Sequence, residues 1–238
     1  MQDCADRTPS PPFYLICAVQ RAGTLLLCEY LAGTRRAGLP PGTLFDMSIG
    51  AVPFDMNAAI KAASTLGGMA GFRMFWNGWE AFLARLADAD NSGVSKEILC
   101  AVPFVWLRRR DTLRQAVSFW RATTPCDQFR RPKDSALANA PEFDATAIRR
   151  FVELMETQDA RWGRWFDENG IVPLEIAYED LDRHPARTVN RVLDHLGVRA
   201  VVTLTQPTVK RQADRLTEQY VEQYKAIEGV SEHKSTAV

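Results

Sequence analysis

The sequence predicts an α/β fold, a parallel sheet with helices on both faces, and three observations carry that expectation. Residues 13–19 form a short, near-continuous apolar run, the pattern of a strand covered on both sides. Similar runs recur at 98–107 and 172–177. Between the runs, apolar residues repeat at helical spacing, and strands alternating with helices give parallel strands joined by crossovers. A length of 238 residues fits one domain, since chains begin to split beyond roughly 250 residues.

Each element follows from its local pattern. Gln20 to Gly23 interrupt the first run, and Thr24 to Leu31 resume with helical spacing. Residues 33–53 are rich in Gly and Pro and read as a long irregular connection, followed by a short helix at 57–65. A second strand is expected at 72–76 and a helix from about 80 to 87. The run at 98–107 is the strongest strand after the first, although Pro103 weakens its middle. Asp111 stands where a helix N-cap belongs, ahead of Leu113, Val117 and Trp120 at helical spacing. Three prolines make 123–141 a surface loop, and 143–167 is a long amphipathic pattern. The strand at 172–177, a helix at 188–196 stopped by Gly197, and a last helix at about 213–226 complete the chain. The expected organisation is a flexible segment at 1–12, a single domain at 13–228 and a flexible tail at 229–238.

Composition narrows the function classes. Lys plus Arg and Asp plus Glu both number 29, a balance that argues against bulk binding to nucleic acid and leaves room for a local basic pocket. The five cysteines, Cys4, Cys17, Cys28, Cys100 and Cys126, include no C-x-x-C pair. Cys17 and Cys100 lie inside apolar runs, so a reducing compartment is expected, with neither a disulfide framework nor a zinc site. Only three histidines, His184, His195 and His233, are available, and no metal is expected. The N-terminal stretch lacks the basic-then-apolar order of a signal peptide, and no apolar run approaches the roughly 20 residues that span a bilayer. The expectation is a soluble, cytoplasmic protein. Trp76 and Trp79 read either as core or as a partner surface that leaves a homodimer open.

Gln20, Arg21, Ala22, Gly23 and Thr24 lie where a buried strand hands over to a helix. The first N–H groups of a helix have no intrahelical partner, and the helix dipole favours negative charge there, so this is an anion site. Gly23 lets the backbone approach an oxyanion, Thr24 adds a hydroxyl and Arg21 a fixed charge. The loop lacks G-x-x-x-x-G-K-[ST], which weighs against an ordinary ATPase or kinase. A plain strand–turn–helix connection with an exposed arginine is the alternative.

Four segments in order resemble the bacterial trehalose 2-sulfotransferase-like family: YLICAVQRAGTLLL at 14–27, RRRDTLRQAVSFWRA at 108–122, YEDL at 178–181 and KRQAD at 210–214. The resemblance implies a P-loop-type version of the α/β fold and sulfuryl transfer from 3′-phosphoadenosine 5′-phosphosulfate (PAPS) to a hydroxyl. It implies PAP as product, a carbohydrate or glycolipid-like acceptor and no metal. It places Gln20, Arg21, Ala22, Gly23, Thr24 and Leu25 on the 5′-phosphosulfate loop. Arg109 and Ser118, with Gln115 as an alternative to Ser118, fall on the 3′-phosphate region, and one or two of Arg108 to Arg110 are a solvated cluster. Arg211 and Gln212 would close over the nucleotide. Arg73 replaces a family lysine and would steady the transferring group, or pair with Glu80.

The sequence also departs from the family pattern. Ala22 and Leu25 replace hydroxyl residues of the loop, a loss of two donors. Leu39, in Gly38-Leu39-Pro40, stands where the family reads G-E-P and has its proton acceptor. Asp46 is the candidate replacement base, with Asp55 as the alternative. Two outcomes are therefore expected to compete: a working sulfotransferase with a replaced base, or a family member that binds PAP, PAPS or a partner without turnover.

Overall fold

Every side chain of strand β1 (Phe13–Ala18) is buried, because both faces of the strand are covered. A computed structural model describes residues 13–40, 56–64, 69–88, 96–124, 141–199 and 215–235. After β1 come α1 (Thr24–Gly33), α2 (Met56–Ala63), β2 (Ala70–Phe75), α3 (Trp76–Asp88) and α4 (Lys96–Ala101). Then follow β3 (Phe104–Arg108), α5 (Thr112–Thr123), α6 (Ala145–Glu168), β4 (Leu174–Ala177), α7 (Tyr178–Arg183), α8 (Pro185–His195) and α9 (Arg215–Ser235). Among the described residues these four strands form one sheet in the order β2-β1-β3-β4, and every pairing between them is parallel.

Alternation along β1 divides the core in two. Phe13, Leu15 and Cys17 face Trp79 and Phe82 of α3 and Trp162 and Phe166 of α6. Tyr14, Ile16 and Ala18 face Leu27 and Leu31 of α1 and Val189, Val192 and Leu193 of α8. Helices cover both faces of a parallel sheet, as the sequence predicts. Trp76 and Trp79 belong to the first cluster and are 9% and 0% exposed, so this aromatic stretch is core.

One expected strand is corrected. The run at 98–107 divides into the end of α4 and most of β3, with the break at Val102 and Pro103. Leu99 and Val102 are buried against the sheet, so their hydrophobicity serves helix packing rather than a strand. A short apolar run cannot by itself distinguish the two. Pro103 stands just before the ladder, where its missing N–H costs nothing, and its carbonyl accepts from Leu15 N–H at 3.1 Å. Elsewhere one element is unanticipated, the six-residue helix α7 directly after β4, and the other differences are boundaries: α3 begins at Trp76, α8 at Pro185 in its first turn, and α9 continues to Ser235. The proline-rich stretch expected as a loop lies largely outside the described residues.

The strand order locates a crevice. From β1 the chain moves to β2 on one side, then crosses back to β3 and on to β4 on the other. Connections leaving β1 and β3 therefore diverge at their carboxyl ends, which is where open parallel sheets bind ligands. The residues there are 19–23 and 109–111.

Candidate functional site

The loop after β1 is built to present amides. Ala22 N–H donates to Val19 carbonyl at 3.3 Å, closing a tight turn in which Arg21 has φ +66° and Gly23 φ +88°. Gly23 is the N-cap of α1 and supplies no side-chain cap; the first intrahelical bond runs from Leu27 N–H to Gly23 carbonyl at 3.2 Å. The amides of Thr24, Leu25 and Leu26 precede that bond, so they have no helical acceptor and are available to an anion. A Cβ at Gly23 would come within 2.4 Å of the Tyr178 ring, so shape as well as φ demands glycine. Ala22 is fully buried among α1 and α8 side chains, so a hydroxyl at that position would face the core, whereas Leu25 is 48% exposed on the outer side.

Three consecutive arginines leave β3 in different directions. Arg108 stacks on Trp106 at 4.3 Å and pairs with Asp159 and Glu175. Arg110 makes a two-pronged pair with Asp180 at 3.0 and 2.7 Å. Arg109 turns inward: its guanidinium lies 4.8 Å over the Tyr178 ring and donates to the Arg21 carbonyl at 3.3 Å. Its Nε is buried with no hydrogen-bond partner among the described residues. From α5, Gln115 donates to Gln20 carbonyl at 2.8 Å, and Ser118 accepts from Arg21 Nε at 3.0 Å. Gln20 in turn donates to Asn77 at the start of α3 at 3.4 Å. Loop, β3 turn and α5 thus form one connected unit.

The electrostatics favour an anion. Burial lowers the pKa of Arg21, and the charge of Arg109 lowers it further. Burial also lowers Arg109, against the opposing pull of Tyr178, Asp111 and Glu179. Two half-buried cations that repel one another, beside helix N–H groups, are relieved by negative charge placed between them.

The remaining sequence candidates divide. Arg73 pairs with Ile16 in the sheet register and lies on the α1 side of β2, two residues before the strand ends. Burial pushes the Cys28 thiol of α1 up to about 12, against a downward pull from the charge of Arg73. Glu80 pairs with Arg161 at 3.3 Å. Burial raises Cys17 as well, so neither thiol is appreciably ionised near neutrality. Iodoacetamide at pH 8 is therefore expected to leave both unmodified in the native protein and to label them only after unfolding, as read by peptide mass spectrometry. Asp46, Asp55, Arg211 and Gln212 lie outside the described residues. His195 contacts the Phe104 carbonyl at 3.1 Å, at the start of β3, and burial lowers its pKa, so its role is structural.

Leu39 is far from the loop. Its N–H donates to Ala63 carbonyl at 2.9 Å, and a Cβ on Gly38 would lie 2.6 Å from the Gly71 nitrogen. Gly71 is paired with Tyr14 at the amino end of β1. The loop begins five residues on, roughly 16 Å away at ~3.3 Å per residue. Sequence reasoning also misses two participants. Tyr178 supports Arg109 and meets Gly23, and Glu179 accepts from the amides of Arg110 and Asp111. Their only signal in the sequence is the YEDL motif at 178–181, which by itself suggests no role for either.

Residues 43–227 match the family described as Stf0 sulphotransferase, which is well over half of the chain. The chain belongs to the Stf0 sulphotransferase family. Two trehalose 2-sulfotransferases, from Mycolicibacterium smegmatis and Mycobacterium tuberculosis, are each 29% identical to it. The similarity covers 90% of this chain in both cases, and 95% and 94% of theirs. Among solved structures, a sulfotransferase from Alicyclobacillus acidocaldarius has a TM-score of 0.51 at 15% identity, covering 92% of this chain and 96% of that one. At that identity the likeness shows a shared fold. The Stf0 match starts beyond the loop at 20–25, so the roles of the loop residues rest on geometry.

Proposed function

We propose that this Stf0 sulphotransferase moves a sulfuryl group from PAPS to a hydroxyl of a small carbohydrate or glycolipid-like acceptor and releases PAP. The observation that carries the reading is the convergence of Arg21, Arg109 and the α1 amides on the crevice between β1 and β3. The α1 amides and Gly23 would receive the 5′-phosphosulfate. Arg109 and Ser118 would receive the 3′-phosphate, and Arg21, bonded to Ser118, would lie between the two. In the reaction the acceptor oxygen forms a bond to sulfur as the sulfur–oxygen bond to the 5′-phosphate breaks. The hydroxyl proton passes to a base, and charge developing on the leaving phosphate is met by the loop amides and arginines. Arg73 is close enough in the sheet to β1 for a role at the transferring group, and Asp46 is our candidate base. Leu39, remote from the crevice, neither supplies nor blocks that function in this reading.

Calorimetric titration with PAP and transfer of radiolabelled sulfate from PAPS test the proposal, with trehalose heading the acceptor panel because the relatives are named for it. Binding of PAP and transfer to at least one acceptor are expected, with Arg21→Ala lowering turnover about 100-fold or more. Tight PAP binding with no transfer across a broad panel favours a binding protein; no binding at all defeats the donor-site assignment.

A further inference from the structure

The guanidinium of Arg109 has few short-range contacts to fix its direction, although the charges of Asp111 and Glu179 also act on it. It rests on an aromatic face, makes one hydrogen bond of 3.3 Å and leaves Nε without a partner among the described residues. Such contacts tolerate a range of directions. The backbone that follows is held much more firmly. Glu179, the second residue of α7, accepts from Arg110 N–H through both carboxylate oxygens at 3.1 and 3.2 Å, and from Asp111 N–H at 3.3 Å. These two amides precede the first turn of α5, so no helical carbonyl can receive them.

The neighbours of Glu179 reinforce the arrangement. Asp180 draws the Arg110 side chain outward, away from the crevice. Leu181 is fully buried in the same cluster as Leu107 of β3, which seats α7 beside the strand that leads into the turn. Tyr178 supplies the plate beneath Arg109. From the opposite side, Asp111 caps α5 by accepting from Arg114 N–H at 2.9 Å, and Arg114 is shared with Glu218 of α9 at 3.0 and 2.6 Å. The turn at 109–111 is therefore gripped on one flank by a carboxylate on its amides and on the other by a carboxylate-capped helix start.

We propose that Glu179 is a positioning residue of the donor site: by holding the amides of Arg110 and Asp111 it fixes the direction of Arg109 and so sets the preference for a 3′-phosphorylated nucleotide. This rests on the donor-site reading above. Glu179 itself touches no substrate. Losing its charge frees the turn to rotate, and Arg109 then reaches a 3′-phosphate in only a fraction of the conformers, which lowers apparent affinity by that fraction. A nucleotide without a 3′-phosphate does not use Arg109 and is indifferent to the change.

The test compares PAP with AMP by calorimetry on the full chain, wild type against Glu179→Gln, with Arg110→Gln as a control that loosens the same turn's outer ion pair. Glu179→Gln is expected to weaken PAP about tenfold and to leave AMP within about twofold, while Arg110→Gln changes neither by more than about twofold. In the ligand-free protein, amide hydrogen exchange at residues 110 and 111 should quicken about tenfold in Glu179→Gln. An unchanged PAP dissociation constant, or equal weakening of PAP and AMP, overturns the positioning role while leaving the donor site standing. Wild-type protein that binds neither nucleotide overturns the donor-site reading and this role with it. Unaltered exchange at both amides overturns the claim that Glu179 holds the turn.

Discussion

Replacing Gly23 with alanine is expected to destabilise the protein by about 2–4 kcal/mol and to abolish measurable PAP binding. Two costs add. An L-residue at φ +88° pays for the left-handed conformation, of order 1–2 kcal/mol. The added methyl would also stand 2.4 Å from a ring carbon of Tyr178, well inside van der Waals contact. The ring has little room to retreat, because Arg109 lies over it and Leu181, in the same short helix, is fully buried. Relief must come from the loop, and movement of the loop takes the α1 amides out of register with Arg109. Urea denaturation and PAP titration measure the two effects. A double variant, Gly23→Ala with Tyr178→Ala, removes the clash and should recover part of the stability but not the φ cost. Alanine at 23 with wild-type stability and PAP affinity would show that the loop is not in the described conformation.

Much of this site is legible in the amino-acid sequence because its logic is local. A buried run, an arginine, a glycine and a helical pattern in that order specify a strand, a turn and an amide-lined helix start, and the described loop has that arrangement. The choice among Arg108, Arg109 and Arg110 is not legible in composition or spacing, since three adjacent arginines look alike. They are sorted by Asp159, Glu175 and Asp180, carboxylates contributed from elements far along the chain. The same distance effect hides Glu179. For Ala22, counting hydroxyls along the chain suggests a lost donor, but the turn points this side chain into the core. For Leu39, order along the chain says nothing about height in the fold, and α1 carries the backbone to the amino end of the sheet before residue 39 is reached.

The second large effect links the aromatic core to the loop. Trp162 is fully buried, and its indole N–H donates to the carbonyl of Ala18, the last residue of β1, at 3.2 Å. Its ring meets Trp76 edge-on at 5.1 Å and stacks on Phe166 at 5.6 Å, with Trp79 at 5.6 Å. Trp162→Ala removes this junction of α3, α6 and β1 and is expected to cost about 3–5 kcal/mol, because close-packed rings of this size cannot collapse into the space. Trp162→Phe keeps most of the packing and loses the hydrogen bond, so about 1–2 kcal/mol is expected. The two variants separate what packing does from what the bond does. Packing should dominate the denaturation midpoint. The bond should govern the loop, since the strand end it holds leads straight into Gln20 and Arg21. Trp162→Phe is therefore expected to weaken PAP binding about threefold to tenfold at temperatures where the protein remains fully folded. A phenylalanine variant that loses stability yet binds PAP as the wild type does would show that the end of β1 is held firmly enough without the indole, and that core and loop are independent.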